Sequence, residues 1–279
     1  MIGFLMRICK LNFGEFEEKE FKKFLRMGLV LMMILGIYWM LRPLKDSLFN
    51  QLSGVVNTPY AKTVSLVLMV PFVAFYTKLL DFIPKIKLLS KFFPLFYALI
   101  IFLYTIFIWA FQSGLVGSSS FTAILGYVWY FVAESFGAIF VALFWSFATD
   151  ITKSEIAKKG FPLIVAVGQV GGIIFPYFFI NLPVSWGVRS DYISMLVVVC
   201  LILTLPLLAL NLVRKTPKEM LVSQTVDAKT KEQGKKKTGF LEGLRLVLSH
   251  KYLIGMFAVN FFFDFIDILT IFNSNTYFF

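Results

Sequence analysis

Six times between residues 24 and 213 the sequence settles into an apolar run of the length a bilayer demands before admitting a polar link. A helix needs roughly 20 such residues to cross about 30 Å of hydrocarbon, where no water is present to satisfy an open N–H or C=O. The runs lie near 24–46, 60–80, 89–111, 121–148, 161–182 and 191–213, and a seventh starts at about 252 and continues to residue 279. The fold class that follows is all-α: a polytopic membrane helical bundle. A soluble domain is excluded by the same feature, because hydrophobic residues make up 58% of the 279 positions and charged residues only 15%, outside the range of soluble globular domains.

The net charge of +11 would suggest nucleic acid in a soluble protein, but its placement answers to a membrane. Lys19, Lys22, Lys23 and Arg26 lead into the first run; Lys78, Lys85, Lys87 and Lys91 surround the second link; Lys153, Lys158 and Lys159 lie in the fourth; the sixth link is the most basic. Between them, "QSGLVGSSS" (112–120) is uncharged and "VSWGVRS" (184–190) has one Arg. Cations on alternate links predict a cytoplasmic N-terminus. Phe dominates the aromatics with 34 residues, which suits lipid-facing helices rather than base-stacking strands, so no nucleic-acid partner is expected.

These features predict a cytoplasmic segment over 1–23, a six-helix bundle over 24–213, a basic cytoplasmic linker over 214–251 and a seventh helix over 252–279 that opens a truncated second bundle. The linker tract "KTKEQGKKKTG" cannot bury itself and is predicted to be flexible. Six spans, a long basic link and a new span form the layout of a major-facilitator-like transporter that stops soon after its midpoint. The first run lies too deep for a secretory signal, its continuation "LRPLKD" has no small-residue cleavage pattern, and no transit peptide is visible, which favours a bacterial inner membrane.

Soluble-enzyme chemistry finds little material. Cys9, Cys200 and the single His250 assemble no zinc set, no disulfide framework and no Ser-His-Asp triad. No GxxxxGK[ST] follows a strand, so no ATP hydrolysis is expected. The chain is read as a non-enzyme without metal or cofactor.

The chemistry sits instead in two spans. In "YWMLRPLKDSLF" (38–49), Tyr38, Arg42 and Lys45 share an arc of roughly 60° on one helix face. Two cations spaced i, i+3 repel unless an anion answers them; Asp46 can answer Arg42, which leaves Lys45 seeking a partner. Pro43 can end the helix or break it where it lines a cavity, and the same residues could simply snorkel at an interface. In the fourth span Glu134 lies about seven residues from either end of the apolar stretch, where a lone carboxylate needs a cation, a proton or a wet cavity. Lys45 is the natural counter-charge, either in a static staple or in a gate. Gly168 and Gly172 form a GxxxG suited to helix packing, with Gln169 between them. Asp81 before Lys85 and Lys87 loosely echoes the acidic-basic loop of major-facilitator proteins.

On "YWMLRPLKDSLF", on "AESFGAIFVALFWSFATDITKSEIAKK" (133–159) and on "SHKYL" at the seventh run, the chain resembles the nucleotide transporters, the ADP,ATP carriers of plastids and intracellular bacteria, over their N-terminal half. The resemblance implies exchange of ATP for ADP across a membrane, with Lys45 and Glu134 matching a charged pair the family needs and with Arg42, Tyr38 and Asp46 as further substrate-binding candidates. ATP and ADP are then the substrates and the bilayer the surroundings, with a second copy or a missing C-terminal half supplying the opposite wall. The sequence departs from the family pattern after Lys159, and Asp264 and Asp267 offer no clear register for the carboxyl expected in the seventh span. Two other readings remain open: a proton-coupled carrier of another anionic solute, in which Glu134 titrates, and a non-transporting membrane remnant or interaction protein.

Overall fold

The computed structural model describes residues 17–117, 119–152, 154–181, 191–216, 248–259, 261–263 and 266. Among them no strand occurs, and six helices are long and apolar enough to cross a membrane. These are α1 (Glu18–Ser53), α2 (Thr58–Phe82), α3 (Phe93–Gln112), α4 (Ser120–Asp150), α5 (Ser154–Pro176) and α6 (Asp191–Lys215). The turn Lys85–Lys87 and a π-helical turn, Leu88–Phe92, lead directly into α3, and α5 continues through a second π turn, Tyr177–Asn181. The all-α, multi-pass architecture is thus the one the apolar runs require.

The helices extend beyond the apolar runs that reveal them. With 36 residues, α1 is about 54 Å long, well over the thickness of the hydrocarbon layer. It starts six residues before its run at 24–46 and continues seven beyond it, straight through Pro43. Pro43 therefore does not end the helix, although its missing N–H removes one intrahelical donor from the Trp39 carbonyl. The continuation holds because Leu48, Phe49 and Leu52 are buried on one face while polar residues occupy the other.

A tight reversal follows. Gly54 adopts φ 83°, a left-handed conformation that disfavours any side chain. One 3₁₀ turn, Val55–Asn57, then delivers the chain to α2, with Pro59 in its first turn, where the missing N–H costs nothing. Phe49 of α1 consequently packs with Ala61 of α2 and Tyr130 of α4. Farther along, the Phe72 and Phe131 rings meet edge to face at 5.5 Å, keeping α2 against α4. At the start of α4, Ser119 and Thr122 form a reciprocal capping box.

Packing is organised by α1, which lies against α5, α4 and α6. Its contact with α5 is the closest and depends on glycines. A Cβ on Gly171 would fall 2.1 Å from the Met32 carbonyl oxygen, and one on Gly168 or Gly172 would strike Leu31 or Trp39. The GxxxG residues of α5 therefore face α1, whereas Gln169 is exposed.

Polar groups fasten both ends of α1. Near its start, Lys23 donates to the Ile151 carbonyl at the C-terminus of α4, and Arg26 donates to the Lys215 carbonyl at the end of α6, 2.6 Å away. Cations at helix C-termini satisfy free carbonyls and complement the helix dipole. Lys85 forms an ion pair with Asp150 at 2.5 Å, so a lysine of the second link holds the end of α4. At the far end of α1, Gln51 and Gln112 both donate to Asp191 Oδ2, at 2.7 and 3.1 Å, joining α1, α3 and α6. Between α3 and α4, Tyr97 donates to Ser135 at 2.9 Å within a cluster of Phe93, Phe136 and Phe140.

The chain divides into two compact units, Met1–Thr230 and Lys231–Phe279. All six spans belong to the first. In the second, the described residues include a short apolar helix, α7 (Lys251–Phe263). Residues 1–16 with Cys9, the link 182–190, the tract 217–247, and Asp264 and Asp267 in the predicted seventh span lie outside the described residues.

Candidate functional site

The tight turn after α1 and the packing of α2 on α4 bring three helices together around Lys45. The Lys45 side chain is buried, 9% exposed, in a part of the molecule where an unanswered ammonium is costly. It donates to Glu134 Oε1 of α4 in a charge-assisted hydrogen bond. Its ammonium also lies 4.3 Å from the Tyr130 ring centroid and 3.9 Å from Asp46 Oδ1. Tyr130 is held in place by an edge-to-face contact with Phe49 at 5.4 Å. Carboxylate and aromatic face together thus surround the one cation.

The sequence candidates are distributed as follows. Lys45 and Glu134 are in direct contact, which meets the need of a carboxyl near the middle of α4 for a counter-charge. Asp46, expected to answer Arg42, has its Oδ1 3.9 Å from the Lys45 ammonium and lies within electrostatic range of Arg42 as well. Arg42 carries its guanidinium 5.3 Å from the Trp39 ring, a cation–π contact one turn before the ion pair. Tyr38 lies against α4: a Cβ on Gly137 would sit 2.5 Å from its Cδ2, so glycine at this position admits the ring. Gly137 is three residues beyond Glu134, and Tyr38 therefore lines the same α1–α4 seam.

Lys62 belongs to this neighbourhood and does not emerge from the sequence reading. It is half-buried in the second turn of α2 and interacts electrostatically with Lys45, Asp46, Glu134 and Arg42. The signal was available, since a lysine next to "TVSLVLMVPF" is a membrane-embedded charge and deserves a functional hypothesis by default. It reads as the rim of a link only when α2 is assumed to start near residue 60. Two hydroxyls in the same junction, Ser65 Oγ and Tyr130 OH, are buried without a hydrogen-bond partner.

The asymmetry of the central pair has chemical consequences. Lys45 is enclosed, while the Glu134 side chain is 36% exposed, so an arriving anion can replace the carboxylate more readily than a cation can replace the lysine. Three cations, Arg42, Lys45 and Lys62, face two carboxylates, Asp46 and Glu134, and the cluster retains an uncompensated positive charge. Such a cluster attracts polyanions. Among the described residues no group of His, Cys, Asp and Glu could hold a metal ion.

Comparison with known proteins points to a transporter family. A family model described as TLC ATP/ADP transporter matches residues 9–271. The chain is 24% identical over 270 residues to ADP,ATP carrier protein 1 of Rickettsia typhi, in an alignment covering 85% of this chain and 52% of that protein. It is 25% identical over 283 residues to ADP,ATP carrier protein 3 of Rickettsia bellii, with 85% and 55% covered. The chain spans about half the length of these curated relatives. No solved structure matches.

Proposed function

The chain belongs to the TLC ATP/ADP transporter family, and we propose that it forms the N-terminal wall of a secondary transporter exchanging ATP for ADP. The observation that carries this reading is the Lys45–Glu134 ion pair, a buried ammonium answered by a more open carboxylate in the α1–α2–α4 junction. In the empty site Glu134 neutralises Lys45. An entering nucleotide offers phosphate oxygens to Lys45 and displaces the carboxylate, and the pair closes again when the nucleotide leaves. A bundle that moves only while Lys45 is answered exchanges one nucleotide for another and performs no bond-breaking chemistry. Arg42, Asp46 and Tyr38 shape the approach along the same seam.

The alternation of basic links supports an orientation with the N-terminus and the Lys23 end of the bundle in the cytoplasm of a bacterium, the protein residing in the inner membrane. The relatives are about twice as long, and the opposite wall is proposed to come from a second six-helix bundle or a second copy of the chain, as in major-facilitator-like transporters.

Proteoliposomes preloaded with ADP and exposed to labelled ATP test the reading. ATP uptake is expected to depend on internal ADP, to ignore a protonophore and to be lost in Lys45→Ala. Full exchange by Lys45→Ala would refute the assigned role. The more open carboxyl of Glu134 favours a second reading, a proton-coupled carrier of another anion, and uptake that collapses with the proton gradient and needs no internal nucleotide would select it.

A further inference from the structure

Lys62 is placed at unusual cost. Ala61, its neighbour, is 1% exposed and locked against Phe49 and Tyr130, which fixes the start of α2 on the ion-pair site. Lys62 thereby stands within electrostatic range of two like charges, Lys45 and Arg42. A lysine with a structural task in a membrane helix pairs with a carboxylate, binds a carbonyl or snorkels to water. Lys62 has no ion pair and no hydrogen bond among the described residues, and the two carboxylates within its electrostatic range, Asp46 and Glu134, both lie against Lys45. One turn farther along α2, Ser65 is buried, 5% exposed, with its hydroxyl unsatisfied, and the buried Tyr130 hydroxyl across the junction is also unsatisfied. A cation beside like charges and two orphaned hydroxyls together describe a site that lacks an anion with several oxygens.

We propose that Lys62 is a second phosphate-binding lysine of this site, sharing the phosphate chain of a nucleoside di- or triphosphate with Lys45, with Ser65 and Tyr130 offering hydroxyl donors. The inference rests on the nucleotide-exchange reading and adds to it a device that counts phosphates. A single phosphate group can be held by Lys45 alone. A longer chain reaches from α4 and α1 to α2 and engages both lysines, so the site discriminates against nucleoside monophosphates.

The test is a titration of the purified full chain in detergent with AMP, ADP and ATP. Wild type is expected to bind ATP and ADP more tightly than AMP. In Lys62→Gln the ATP and ADP affinities are expected to fall about tenfold, the loss of one charge-assisted contact, while AMP changes little; Lys62→Arg restores most of the loss, and Lys78→Gln, an exposed lysine at the other end of α2, changes nothing. A second measurement needs no substitution: ATP, but not AMP, should slow acetylation of Lys62 relative to Lys78 by about tenfold. Wild type that binds no nucleotide would overturn the exchange reading itself. Wild type that binds ATP while Lys62→Gln binds it equally well, or while Lys62 is modified at the same rate with ATP present, would overturn this inference alone.

Discussion

At the scale of single residues, the central contact is that of a buried lysine, Lys45, with the carboxylate of Glu134. Truncating either member of the pair strands a charge in a low-dielectric junction, which costs about 3 kcal/mol given that Glu134 is the more open partner. Lys45→Met and Glu134→Leu should therefore each lower the melting temperature in detergent. The double variant should recover most of the loss, because a matched apolar pair strands nothing. Strict additivity of the two losses would show that the ion pair carries no coupling. Both residues were legible in the sequence, since a carboxyl in the middle of "YVWYFVAESFGAIF" and a lysine following an apolar run are conspicuous in hydrocarbon. Lys62 was legible only as a charge at the edge of an apolar stretch, and its place beside the pair depends on a tight turn. Gly54 at φ 83° redirects the chain within four residues and sets the start of α2 against Phe49 and Tyr130. The loss of Trp39's donor at Pro43 without a helix end was equally hidden, since it depends on how Leu44, Leu48 and Phe49 bury themselves beyond the proline.

At the scale of helices, the apolar runs located all six spans but misplaced their ends. A run marks where a helix meets lipid or apolar neighbours on every side. It falls silent where the helix continues with one face on its neighbours, as α1 does from Asp46 to Ser53. The glycines of α5 illustrate what the sequence could and could not specify: the GxxxG spacing announced close packing, yet the nearest approach belongs to Gly171, between the two glycines that define that spacing. This difference yields a graded expectation. In Gly171→Ala the new methyl would meet backbone, the Met32 carbonyl at 2.1 Å, and α1 and α5 must part. In Gly172→Ala it would meet the Trp39 side chain, at 2.7 Å from Cδ1, which can swing aside. Thermal melting should register a loss of about 3 kcal/mol for Gly171→Ala and about 1 kcal/mol for Gly172→Ala. Equal effects would mean that the backbone contact does not set the spacing of the two helices.

At the scale of the whole molecule, α1 links the extremities of the bundle to its centre. Lys23 and Arg26 grasp the C-termini of α4 and α6, Gln51 joins α3 and α6 through Asp191, and Lys45 lies on the α4 seam between these ends. A change in what answers Lys45 is thereby delivered to a helix that touches three others, which is how a local exchange of anions can move a bundle. The central claim is that Glu134 and the nucleotide phosphates compete for Lys45, and calorimetric titration of ATP into the full chain tests it most directly. Glu134→Gln removes the competitor and should bind ATP about tenfold more tightly than wild type, while Lys45→Gln should lose binding. A Glu134→Gln variant that binds ATP no better than wild type, together with a Lys45→Gln variant that binds it as well, would reduce the pair to a static brace between α1 and α4 and contradict the account.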